Sequence, residues 1–126
     1  MPVTVIVDSA ASLPPEAAVE WGIAVVPMAL SVRGRSYRDG EVSEQELLAA
    51  PPDQVHTSGP SPGDFLTRFE ACPAGAVVIT VAGAVSSTYR AACLAAESTK
   101  VPVRVVDSAT AAGGEALVAI AAARRA

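Results

Sequence analysis

Aromatic residues are scarce here: two Phe, two Tyr and one Trp in 126 residues. With so few large rings, the core must be built from small aliphatics, which favours closely spaced helix–sheet packing. Cysteine is nearly missing as well. Cys72 and Cys93 are too few for a disulfide scaffold, and a reduced cytoplasm is the expected compartment. Charged residues are only 17% of the chain, which excludes a disordered polyelectrolyte. The net charge of −4 leaves no basic stripe for nucleic acid. No apolar run approaches the ~20 residues of a membrane helix. The start, Met1-Pro2-Val3-Thr4-Val5, has no basic region and no small-residue cleavage site, so no signal peptide is expected.

What the chain does have is 26 Ala and 18 Val within a hydrophobic fraction of 51%. Its length suits one domain, residues 1–126. Val3 to Val7 is a β-branched run ended by Asp8-Ser9. Pro14-Pro15-Glu16 opens a short helix that Gly22 closes, and Trp21 is expected to pack at its end. Ile23 to Pro27 and Met28 to Arg33 read as extended, with Gly34, Asp39 and Gly40 in the turns. Ser43-Glu44-Gln45-Glu46 has the spacing of a capping box ahead of Leu47-Leu48. His56 to Asp64 reads as a polar loop, in which Ser61 caps and Pro62 starts a helix carrying Phe65, Leu66 and Phe69. Ala76 to Ala82 reads as a buried strand, Thr88 to Thr99 as a helix, Val101 to Val106 as a strand and Glu115 to Arg125 as a last helix. Strands alternating with helix-length segments predict an α/β fold: a parallel-sheet sandwich covered by helices on both faces. The chain stops at Ala126 inside an uncapped Ala-rich helix, an ending expected of a fragment of a longer protein.

Three predicted strands end in hydroxyl-bearing turns: Asp8-Ser9, Ser86-Ser87-Thr88 and Asp107-Ser108. In an open parallel sheet these ends share one edge, where ligands bind at the reversal of strand order. Hydroxyls beside free helix N–H groups suit a carboxylate or phosphate, although Ser, Thr and Asp are favoured there as plain caps. The loop from His56 to Asp64 is a second candidate. His56, the single histidine, would complete a triad only if it met Ser86 or Ser9, and no G-x-S-x-G elbow is present. No His, Cys or acid cluster has metal-ligand spacing, so no metal is expected. Neither a phosphate loop nor a dinucleotide fingerprint occurs, and no cofactor is expected. Cys93 reads as helix packing, Cys72 as a turn thiol, and Tyr37 and Tyr89 as amphipathic packing residues. The residues alone describe an α/β domain with a hydroxyl rim suited to an anion and no nucleophile–base pair, which favours binding over catalysis.

Asp8-Ser9-Ala10-Ala11-Ser12-Leu13-Pro14 resembles the D-S-T-A-D-L-P signature of the DegV family. Ser36-Tyr37-Arg38-Asp39-Gly40 is similar to its S-Y-x-D-G turn, and Val105-Val106-Asp107-Ser108 to its V-x-D-S strand end. Thr57-Ser58-Gly59-Pro60-Ser61 resembles its T-S-Q-P-S loop with Gly59 for Gln. Val85-Ser86-Ser87-Thr88-Tyr89 resembles L-S-G-T-Y with Ser87 for Gly. The five motifs keep the family's order and cover nearly the whole chain. The resemblance implies a DegV N-terminal-domain-like fold whose C-terminal domain is absent here. It implies a long-chain fatty-acid-binding protein, itself no enzyme, that presents lipid to the ATP-binding catalytic subunit of a fatty acid kinase. Carried over residue by residue, Thr57 and Ser86 bind the carboxylate, with Ser9, Ser58 and Ser87 as secondary candidates. The Gly59 departure is expected to loosen the loop, and Ser87 to narrow the backbone approach. Two other readings stand beside this one: a small serine hydrolase or phosphotransferase using the Ser86 loop, and a non-binding structural fragment. A truncated domain with an uncovered tunnel wall is also expected to self-associate.

Overall fold

The β-branched runs form a parallel sheet, and the extended segment after Met28 forms a second one with two largely polar strands. The computed structural model describes residues 2–126. In chain order the elements are β1 (Thr4–Asp8), α1 (Pro15–Trp21), β2 (Ile23–Val26), β3 (Ala29–Val32), β4 (Arg35–Arg38), α2 (Glu44–Ala49), β5 (Val55–Ser58), α3 (Pro62–Glu70), β6 (Ala76–Thr80), α4 (Thr88–Ser98), β7 (Val103–Asp107) and α5 (Gly113–Ala123). Short 3-10 turns cover Ser9–Ala11 and Pro52–Gln54.

The main sheet has the order β2-β1-β6-β7, with every neighbour parallel. Its even-numbered residues Ile6, Ala76 and Val78 meet Phe65 and Phe69 of α3 and Ala91, Ala92 and Ala95 of α4. Val5, Val7 and Ile79 point the other way, toward Ala116 and Ala119 of α5, with Trp21 of α1 at the margin. This two-faced burial is why the strands read as unbroken apolar runs, and it bears out the predicted sandwich. Alanine on α4 and α5 keeps each helix close to the sheet, so the small-residue composition is a packing feature. Trp21 lies under Arg124, whose guanidinium carbon is 5.9 Å from the ring centre.

The second sheet, β4-β3-β5, is antiparallel. It corrects the expectation of a loop from His56: Val55–Ser58 is a strand that pairs residue for residue with Val32–Ala29. Three of its four residues, His56, Thr57 and Ser58, are polar and exposed, so no periodicity announces it. Ser36–Arg38, read as part of a turn, belongs to the hairpin strand β4. Arg33 and Gly34 form the tight hairpin connection with φ of +51° and +80°.

At the capping sites, the Ser43 hydroxyl accepts from Glu46 N–H, but the return bond of a capping box is missing. The complete box is at α3, where Ser61 and Asp64 bond each other's backbone N–H at 3.1 and 2.9 Å. Cys72, expected as a turn thiol, is buried in the core under α3, where its Sγ–H donates to the Arg68 carbonyl at 3.3 Å.

Candidate functional site

The sheet reverses its winding between β1 and β6, because β2 lies on one side of β1 and β6 on the other. Everything between β2 and β6 is an excursion that returns the chain to the far side of β1. The strand ends at this reversal are where a doubly wound sheet opens a crevice.

Two aspartates fix that edge. The fully buried Asp8, last residue of β1, accepts from Val81 N–H at 2.8 Å and from Ala10 N–H at 2.9 Å. Asp107, last residue of β7, accepts from Gly83 N–H with both oxygens at 3.1 Å and from Ala109 N–H at 2.8 Å. Between them, Ala82 N–H donates to the Thr110 carbonyl at 2.8 Å. Three successive N–H groups beyond β6 thus go to three different segments, which leaves the base of the Gly83–Ser87 loop one position.

That loop presents Ser86 and Ser87 at the start of α4. The Ser86 and Thr88 hydroxyls share a hydrogen bond of 2.8 Å, and Ser86 Oγ also accepts from Thr88 N–H at 3.2 Å. Opposite stands the end of β5. Gly59 lies so close to α4 that a Cβ there would come within 2.5 Å of Thr88 Oγ1. The sequence expectation that Gly59 loosens this loop is therefore corrected: its missing side chain lets the loop dock tightly.

The result is a cleft of about 390 Å³ bounded by Ala10, Met28, Thr57, Ser58, Ser86 and Val85, with Gly59, Val81 and Ser87 completing it. Four of the five predicted binding residues, Thr57, Ser58, Ser86 and Ser87, meet in this cleft from segments some thirty residues apart. Ser9 does not line it. Its hydroxyl accepts from Met28 N–H at 2.8 Å and holds β1's exit against the chain beyond β2. Ser108 is likewise structural, bonded within its own turn to Thr110. His56 is exposed on β5 and absent from the cleft wall, so the Ser–His alternative finds no base there. The cleft walls carry no charged side chain; hydroxyls and the positive end of α4 are what an anion would meet. Its apolar lip is Val85, 75% exposed.

Glu115 was not among the residues expected to matter. On the third position of α5 it is fully buried, and neither carboxyl oxygen has a hydrogen-bond partner among the described residues. Burial, and then the charge of nearby Asp8, push its pKa up to about 9. Burial also raises Asp8, against the lowering effect of its bonds from Val81 and Ala10. The available signal was an acid alone within the apolar run Gly113–Ala123. No group of three or more metal-ligating side chains occurs among the described residues. No helix is long and apolar enough to cross a membrane among them either.

The protein is an open α/β sheet with a hydroxyl-lined crevice at its winding reversal. The chain belongs to the DegV family, described as uncharacterised proteins, whose sequence model matches residues 2–126. A DegV domain-containing protein of Mycobacterium tuberculosis is 34% identical over 136 residues, covering 100% of this chain and 46% of that protein. A DegV family protein from Thermus thermophilus, described by its fatty acid binding, superposes with a TM-score of 0.84 at 28% identity, over 98% of this chain and 47% of that one. A Thermotoga maritima protein, described as revealing a fatty acid binding function, superposes with a TM-score of 0.86 at 30% identity, over 98% of this chain and 49% of that one. The chain thus spans about half the length of the relatives it matches.

Proposed function

We propose that this chain binds a long-chain fatty acid by its carboxylate, with Thr57 and Ser86 as the donors and Ser58 and Ser87 beside them. The observation that carries this reading is the meeting of the Thr57 and Ser86 segments in one uncharged cleft with an apolar lip. With Thr88 as the donor in the hydroxyl pair, the Ser86 proton is left for the ligand. Two solved DegV proteins described as fatty acid binding share the fold over nearly all of this chain. Their described property supports the ligand class. The finer role, a cytoplasmic, non-catalytic subunit presenting lipid to a fatty acid kinase, follows from the motif resemblance, and the lack of a base near Ser86 agrees with it. Lipid extracted from a purified protein that carries both family domains, and identified by mass spectrometry, tests the reading directly. A long-chain fatty acid, displaced by added oleate, is expected; a different ligand class in the extract, or no oleate binding at any concentration, overturns it.

A further inference from the structure

The buried acid on α5 has no part in the carboxylate site, yet it sits behind that site. An ionised carboxylate with no donor at all is among the most costly groups to bury. Glu115 has no donor. Asp8 has two, the N–H groups of Ala10 and Val81, one on each of its oxygens. Of the two acids, Asp8 is therefore the one built to be the anion, and each of its oxygens retains a free lone pair. Glu115 must be the one that keeps a proton, and among the described residues Asp8 is the ionisable group that acts on it. The segments packed on this part of α5 supply no other charge: Ser9–Ala11, Ile23–Val26 and Ala76–Thr80 contain no titratable residue, and β1 contributes Asp8 alone. Arg124 is at the far end of α5, over Trp21. The α5 start has no side-chain cap, and Ala112 there is held at φ +50°, ψ −126°, a conformation L residues avoid. Its N–H donates to the Ala10 carbonyl at 3.0 Å. The helix bearing Glu115 is thus pinned to the same residue that Asp8 holds.

We infer that Glu115 is a positioning residue for the cleft: as the neutral acid it keeps its proton and donates it in a hydrogen bond to the Asp8 carboxylate, and through Asp8 it fixes the Ala10 and Val81 backbone that lines the cleft. Its consequence for ligand binding rests on the fatty-acid reading above; the shared proton does not. Loss of that proton places two anions side by side in a buried site. The repulsion drives them apart, and the grip on Ala10 and Val81 goes with it.

The test compares the 126-residue chain with Glu115→Gln, which is neutral at every pH, and Glu115→Ala. Infrared spectroscopy reads the carbonyl stretch of a protonated acid. NMR reads amide protection at Ala10 and Val81, and oleate-induced shifts at Thr57 and Ser86, from neutral to alkaline pH. The wild type should show a protonated acid at neutral pH that is missing from Glu115→Gln. Its amide protection and oleate affinity should fall several-fold on going alkaline. Glu115→Gln should hold both flat, and Glu115→Ala should lower them throughout. A Gln variant with the same alkaline loss as wild type, or a wild type with no protonated acid at neutral pH, overturns the proposal. If the acid and amide signals behave as described but oleate shifts nothing at any pH, the pair stands and the fatty-acid reading falls.

Discussion

At the scale of single residues, the cleft depends on two hydroxyls and one missing side chain. A hydrogen bond to a charged group contributes roughly 1.5–3 kcal/mol. Thr57→Val and Ser86→Ala, made in a protein that carries both family domains, should each weaken fatty-acid binding about tenfold or more, read by calorimetry. Unchanged affinity in both would remove these residues from the site. Gly59 acts through shape. Its Cβ would collide with Thr88 Oγ1, the partner of Ser86. Gly59→Ala should therefore misdirect the Ser86 hydroxyl and cost about 0.5–1.5 kcal/mol of binding, a few-fold in affinity, with little change in unfolding midpoint. A large loss of stability with intact affinity would contradict this. Deep in the core, Phe65 and Phe69 have ring centres 6.2 Å apart and are both fully buried. Truncating either to Ala should destabilise the fold by about 3–5 kcal/mol in denaturant titrations.

At the scale of elements, the apolar strands and the capped helices were legible, and β4 and β5 of the second sheet were not. Ala76–Thr80 is apolar but for Thr80 because both faces are covered, so its sequence announces it. Ser61 and Pro62 placed the start of α3 to the residue. Prediction fails at β5 for a physical reason: Val55–Ser58 is held by pairing with β3, more than twenty residues earlier, and local pattern carries no trace of that partner. Thr57 and Ser58 were singled out even so, because motif resemblance reports position without needing the strand. The same resemblance was silent on Glu115, whose role comes from what surrounds it. Since α3 begins with a full reciprocal cap, Ser61→Ala should cost about 1 kcal/mol of stability. Because the cap lies just beyond Thr57–Pro60, the loss should appear as local amide exchange at the start of α3 before it appears globally.

At the scale of the whole molecule, the acid pair gives stability a slope with pH. The folded state holds the Glu115 proton up to about 9, whereas the ordinary value is 4.5. The folded chain therefore binds more protons than the unfolded chain between those values, and stability must fall as pH rises through that window. The contribution is complete below about 4.5 and gone above about 9. Urea midpoints measured across the window should decline in the wild type and lose most of that decline in Glu115→Gln. The uncovered cleft bears on assembly. Burying an acyl chain is worth roughly 0.8 kcal/mol per CH₂, so if these residues cover about half of a chain of ~15 methylenes, the other half corresponds to about 6 kcal/mol and some four decades of affinity. We expect weak fatty-acid binding by these 126 residues alone, and self-association through the edge bearing Val85. Sedimentation of the wild type and Val85→Asp measures this; a clean monomer with nanomolar affinity would mean that one wall suffices.

The bond from Val81 to Asp8 joins residues 73 apart in the chain. At a synthesis rate of about 5–20 residues per second, β1 leaves the ribosome roughly 4–15 s before the segment that completes its pairing exists. Until then Val5, Ile6 and Val7 have only β2 beside them, with a bare strand edge where β6 will later dock. That edge is a template for pairing with another chain. The nascent protein therefore carries an open strand edge through a stage of synthesis that the finished fold does not show. The cleft itself, with Ala10 and Val81 in its wall, can take up a ligand only after that contact has closed.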